Sequence, residues 1–192
     1  QCYPNDASIG ADAISGALHV RRETYDSSLP SGAPLQSESR FSCFQQRFQQ
    51  WQATNSVPAF TYMVLPSDHT DGLTPGDRSP RAMVAENDAG RAQIVAEISH
   101  SSIWRSSAIF VVEDDSQDGA DHVDAHRMPA AVISPYAKQG AVIHTRYDML
   151  SVIRSMELIM GMRPLSLADA TATPMYDAFT PAAANAAPFS QI

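Results

Sequence analysis

Between two apolar runs, residues 108–112 and 130–134, the chain carries Glu113-Asp114-Asp115-Ser116-Gln117-Asp118-Gly119-Ala120-Asp121-His122-Val123-Asp124-Ala125-His126, with six carboxylates and two histidines in 14 positions. The flanking runs are short and rich in Val and Ile, and they read as buried strands, whereas carboxylates cannot follow them into a core without partners. Crowding so many like charges costs Coulomb energy unless a cation or hydrogen-bond donors offset it. A bound divalent ion is the economical reading, and a solvated acidic loop is the alternative. Oxygen donors suit Ca, Mg or Mn and added imidazole favours Zn or Fe, so the choice of ion stays open.

A second strand end repeats the pattern. Residues 60–65 read as a buried strand, followed by Ser67-Asp68-His69-Thr70-Asp71-Gly72. Alone, Asp68-His69 reads as a turn with a surface histidine; beside the later cluster it places a second Asp and His at one edge of a sheet. His19, His100 and His144 have no such acidic neighbours and read as surface or internally satisfied histidines.

The remaining pattern supplies helices for that sheet. Ser79 caps and Pro80 opens a helix running to about Ser99, with Met83, Val84, Ile94, Val95 and Ile98 inward. A last helix over residues 147–160 carries Met149, Val152, Ile153, Met156 and Met160 on one face, and Gly161 ends it. The order strand, helix, strand, strand, helix predicts an α/β fold, a mostly parallel sheet flanked by helices, with ligands beyond the carboxyl ends of its strands. Residues 1–56 form an irregular region with one helix, marked by Phe41, Phe44, Phe48 and Trp51. Residues 57–179 form the α/β domain, and residues 180–192 an Ala/Pro-rich tail, extended or loose.

A length of 192 residues suits about one domain with its own core. Thirteen basic residues against 21 acidic ones leave a net charge of −8, which repels a nucleic-acid backbone. Lys138 is the only lysine, and a phosphate ligand needs local help in such a chain. No apolar run approaches the roughly 18 residues of a membrane span, and the start at Gln1 reads as processing or truncation. Cys2 and Cys43 fit no metal spacing; they form one disulfide in an exported protein or remain two thiols.

Several motif classes fail. There is no G-x-S-x-G elbow, Walker A loop, G-x-G-x-x-G or H-E-x-x-H. Asp114, Ser116, Asp118 and Gly119 match the first positions of a calcium-binding EF-hand loop, but its twelfth position is Ala125 and a strand precedes it.

The stretches Leu65-Pro66-Ser67-Asp68-His69-Thr70, Ala85-Glu86-Asn87-Asp88, Ile109-Phe110-Val111-Val112-Glu113-Asp114-Asp115, Asp121-His122-Val123-Asp124-Ala125-His126-Arg127 and Ile133-Ser134-Pro135-Tyr136 together resemble the phosphoesterase family. That family contains phospholipase C-like and acid phosphatase-like enzymes and belongs to the alkaline phosphatase superfamily. The resemblance spans residues 57–179 and implies metal-assisted phosphoester hydrolysis, in which a Ser or Thr attacks phosphorus. By position it implies Asp68, Asp114, Asp115 and His126 as metal ligands and His69 as a catalytic contact to phosphate or leaving group. Asp121 and His122 follow as ligands or as orienting groups. The cofactor implied is a divalent ion, Zn, Mn, Mg or Ca, and a periplasmic or secreted location accompanies it.

In this superfamily the nucleophile lies upstream of such a segment. Residues 1–56 show neither a Glu-Asn pair nor a Ser/Thr nucleophile motif, so the resemblance implies a C-terminal half and an incomplete sheet. Such a chain is expected to be a weak catalyst alone, and to self-associate or join a missing N-terminal half. A noncatalytic, metal-stabilised binding or structural module is the competing reading.

Overall fold

Phe41, Phe44, Phe48 and Trp51 recur at intervals of three and four residues, and they lie along one helix, α1 (Gln36–Ala53). Phe44 and Phe48 are buried with rings stacked 5.2 Å apart, while Phe41 and Trp51 are half-buried. The computed structural model describes residues 17–20, 36–63, 65, 70, 72–73, 75–76, 78–113 and 127–190. The chain divides into two units, residues 1–97 with 190–192, and residues 98–189. Cys2 lies outside the described residues, and with it the question of a Cys2–Cys43 disulfide.

In the first unit α1 ends on Asn55, whose φ of 51° lets the Ser56 N–H reach the Trp51 carbonyl at 2.8 Å. Strand β1 (Ala17–Val20), not among the strands expected, pairs in parallel with β2 (Phe60–Met63), Ala17 opposite Phe60 and Val20 opposite Met63. β2 is not the buried strand expected. Phe60 and Met63 are half-buried, and Tyr62 is 48% exposed.

Helix α2 (Pro80–Ser99) begins as its cap predicts, the Ser79 Oγ accepting from the Ala82 N–H at 3.3 Å. Met83, Val95 and Ala96 are buried. Val84, expected inward, is half exposed; at about 100° per residue it falls off the Met83–Glu86–Gly90 face, and the carboxylate of Glu86 takes the buried position instead. Gln45 on α1 donates to Glu97 on α2 at 2.9 Å.

In the second unit β3 (Ile109–Val112) and β4 (Ala130–Ile133) run antiparallel, Ile109 opposite Ile133 and Val112 opposite Ala130. This departs from the mostly parallel sheet expected, although the α/β class holds. A parallel return needs a crossover, usually a helix covering the sheet, and the charged stretch between these strands has no apolar stripe with which to make one. The strands are half-buried rather than fully buried, with Ala130 and Ala131 exposed.

Helix α3 (Met149–Ile159) starts on a capping box: Asp148 accepts from the Ser151 N–H at 2.9 Å, and the Ser151 hydroxyl accepts from the Asp148 N–H at 3.2 Å. Val152 is buried and Ile153 and Met156 half-buried, while Met149, expected inward, is 39% exposed at the first turn. Gly161, at φ 67°, ends the helix as predicted, with Met162 N–H on the Glu157 carbonyl at 2.8 Å.

The short helix α4 (Leu167–Thr171) is tied to α3 by two buried carboxyls, Glu157 and Asp169, both on the Leu165 N–H at 3.1 and 2.7 Å. Arg154 pairs with Glu157 at 3.0 Å, and Ser166 donates to Asp169. The tail is extended but docked: Phe189 meets Trp104 edge-on at 5.9 Å, and its N–H donates to Ser99 at 2.9 Å. His100 and His144 are exposed. Among the described residues no helix is long and apolar enough to cross a membrane.

Candidate functional site

Asp68, His69, Asp114, Asp115, Asp121, His122 and His126 all lie outside the described residues. What the structure supplies is the frame from which each candidate segment departs and to which it returns.

The first frame is built by α2. At its first two turns, the neighbouring residues Glu86 and Asn87 grip the two ends of the segment that carries Asp68 and His69. Asn87 Nδ2 donates to the Leu65 carbonyl at 2.8 Å, just before Pro66. Glu86, whose side chain is 2% exposed, accepts from Arg78 Nη1 at 3.1 Å, just after the segment closes. A carboxylate at that depth needs a charged donor, and Arg78 supplies it from the loop side. Within the segment Thr70 sits at φ 56°, a region that β-branched residues rarely visit, and its hydroxyl accepts from the Gly72 N–H at 3.4 Å. Backbone in such regions persists only where its surroundings hold it, and it concentrates at functional sites. Nothing in the chemistry of Arg78, Glu86 and Asn87 alone marks them as site residues; their signal in the sequence is the Ala85-Glu86-Asn87-Asp88 stretch within the resemblance.

The second frame is the β3–β4 ladder. The chain leaves it at Glu113 and rejoins it at Arg127, and beyond the Val112–Ala130 pair the Glu113 N–H still reaches the Pro129 carbonyl at 3.4 Å. The stems of the acidic segment are therefore adjacent, one on each of two paired strands. Neighbouring strands lie about 4.8 Å apart, so both ends of the acidic segment are anchored close together, beside Glu113 and Pro129. Among the described residues no group of three or more His, Cys, Asp or Glu is placed to hold a metal ion.

Comparison with known families matches residues 22–163 to the Phosphoesterase family, so the chain belongs to the phosphoesterase family, whose chemistry is phosphoester hydrolysis. The match begins upstream of residue 57, where the resemblance began, and takes in α1 together with both framed segments. No curated protein matches the chain.

Proposed function

We propose that this chain is a metal-dependent phosphoester hydrolase of the alkaline phosphatase superfamily. Asp68, Asp114, Asp115 and His126 hold one or two divalent ions, His69 contacts the phosphate or leaving group, and Asp121 and His122 ligate or orient the ligands. The observation that carries this reading is the pairing of Glu113 with Pro129, which roots both ends of the most acidic segment on adjacent strands. Phosphate must approach a chain of net charge −8. A divalent ion inverts the local field, polarises phosphoryl oxygens and neutralises charge developing on them. The chain's own residues supply the anionic cradle, and Asn87 and Glu86 hold Leu65 and Arg78 on either side of the stretch that carries His69.

The parallel β1–β2 pair supports a parallel sheet within the first unit only. A periplasmic or secreted location, and association with a second copy or with an upstream half supplying the nucleophile, belong to the same proposal.

The test is turnover of a chromogenic phosphomonoester and phosphodiester after chelation and then with Zn, Mn, Mg or Ca restored one at a time. Weak hydrolysis that returns with one of these ions, and fails to return in Asp115→Ala, is the expected result. Turnover that survives exhaustive chelation overturns the proposal, and so does a melting temperature that none of the four ions raises.

A further inference from the structure

The second unit holds an open cavity of about 470 Å³ at the end of the β3–β4 ladder where Ile109 pairs with Ile133. That is the end opposite the one from which the acidic segment departs. Its volume lies in the range of small-ligand pockets, roughly 300–1,000 Å³. Leu158, Ile159, Met175 and Phe179 give it apolar walls.

Five hydroxyls of the lining do not alter that character, because their protons are already committed. Ser134 donates to the Ser107 carbonyl at 2.9 Å and Ser155 to the Ser151 carbonyl at 2.7 Å. Thr180 donates to the Tyr136 carbonyl at 2.9 Å, and Ser106 and Ser107 both donate to the Ile103 carbonyl, at 3.0 and 2.8 Å. Two of these oxygens also accept, Ser134 from the Tyr136 N–H and Ser155 from the Met175 N–H. Beyond apolar contact, the side chains of such a wall offer a ligand the phenols of Tyr136 and Tyr176. Arg105 is different. It is exposed, it is the one charged residue in the lining, and it makes no ion pair or hydrogen bond among the described residues.

An apolar chamber with one uncommitted guanidinium selects for a molecule of matching polarity. We propose that this cavity binds a small amphiphilic monoanion, its apolar body against Leu158, Met175 and Phe179 and its carboxylate or phosphonate-type head on Arg105. Arginine suits such heads because its fork donates two parallel hydrogen bonds. None of its lining residues belongs to the proposed metal-ligand set.

Calorimetric titration with octanoate and with octylphosphonate tests this, in chelator so that the acidic segment contributes nothing. Neither probe contains a phosphoester bond, so hydrolysis cannot obscure binding. 1-Octanol supplies the body without the charge, and inorganic phosphate the charge without the body. Binding of at least one amphiphilic anion is expected, weakened about tenfold or more in Arg105→Gln, the scale of a lost charged hydrogen bond. Ile159→Glu, at a wall position 57% exposed and so tolerant of change, should weaken it as well. The proposal is overturned if octanol binds as tightly as octanoate, if inorganic phosphate does, if Arg105→Gln changes nothing, or if neither anion binds at millimolar concentration.

Discussion

Asn87 Nδ2 stands 2.8 Å from the carbonyl oxygen of Leu65, so a side chain on α2 fixes the point at which β2 hands over to the segment bearing Asp68 and His69. Removing that donor leaves a half-buried carbonyl short of a partner, worth about 1 kcal/mol. Asn87→Ala should therefore lower the melting temperature by about 2–4 °C. Phosphoester turnover should fall much further than stability does, because the chain just before His69 loses its anchor at Leu65. Equal activity in wild type and variant would separate this clamp from function.

The partner clamp makes an asymmetric prediction. Glu86 is deeply buried and Arg78 is 39% exposed, so the two partners do not lose equally when the other is removed. Arg78→Ala takes the guanidinium from a buried carboxylate and should cost about 2–3 kcal/mol, a buried-pair figure reduced for Arg78's exposure. Glu86→Gln keeps a hydrogen-bonding group and frees Arg78 to water, so it should cost less than about 1 kcal/mol. Chemical denaturation of both variants checks the order, and the reverse order would show that Glu86 is not held by Arg78.

What could be read from the sequence was what local rules decide. Helix α2 starts where Ser79 and Pro80 say, α3 stops at Gly161, and Phe44 and Phe48 are core because 3.6-residue periodicity is a strong signal. Strand pairing was less legible, since β3 and β4 carry the same Val/Ile signature whichever way they run. β1 is the least legible: Ala17-Leu18-His19-Val20 is four residues, with Ser15-Gly16 before it but no turn signal directly after it. Glu86 shows the limit of periodicity, because a buried carboxylate reads as a surface residue until its partner is seen. Of the candidate site, the acidic and histidine residues were legible as types; the Asn87 and Arg78 clamps, which depend on contacts 22 and 8 residues away, were not.

The metal proposal has a readout that does not require turnover. An ion that binds only the folded chain stabilises it by about 2.7 kcal/mol at a hundredfold excess over its dissociation constant. Wild type should melt several degrees higher with the preferred divalent ion, and Asp115→Ala should show no such rise. Asp118→Asn, in the same segment but outside the proposed ligand set, should keep it. A rise that survives Asp115→Ala would mean that the ion sits elsewhere.

Gly161 gives a purely conformational prediction. Its φ of 67° suits glycine, and a Cβ built there meets nothing within 4 Å, so Gly161→Ala adds backbone strain without a clash. The cost should be about 1 kcal/mol, seen as a drop of about 2–4 °C in melting temperature. Gly161→Asn should cost less, as Asn55 already occupies the equivalent position at the end of α1. A larger loss for Asn than for Ala would show that side-chain contact, not φ, governs the site.

Asp169 predicts how stability responds to acid. The Ser166 hydroxyl, and after it Glu157 and the Leu165 and Asp169 N–H groups, hold its carboxyl well below the usual carboxylate range, with burial opposing them. A folded value below the unfolded one means that the stabilisation is fully present above the unfolded value, about 3.9, and is lost as pH falls toward the folded value. Asp169→Asn keeps the shape but not the charge, so it should melt several degrees below wild type at neutral pH. The gap should hold constant from pH 7 to about 5 and close below about pH 4, where the unfolded wild-type chain begins to bind the proton that the folded chain still refuses. Thermal melts of both proteins by circular dichroism across that range provide the check. A gap that widens on acidification would mean that the folded chain takes up the proton first, and that Asp169 is not held ionised by Ser166 and Leu165.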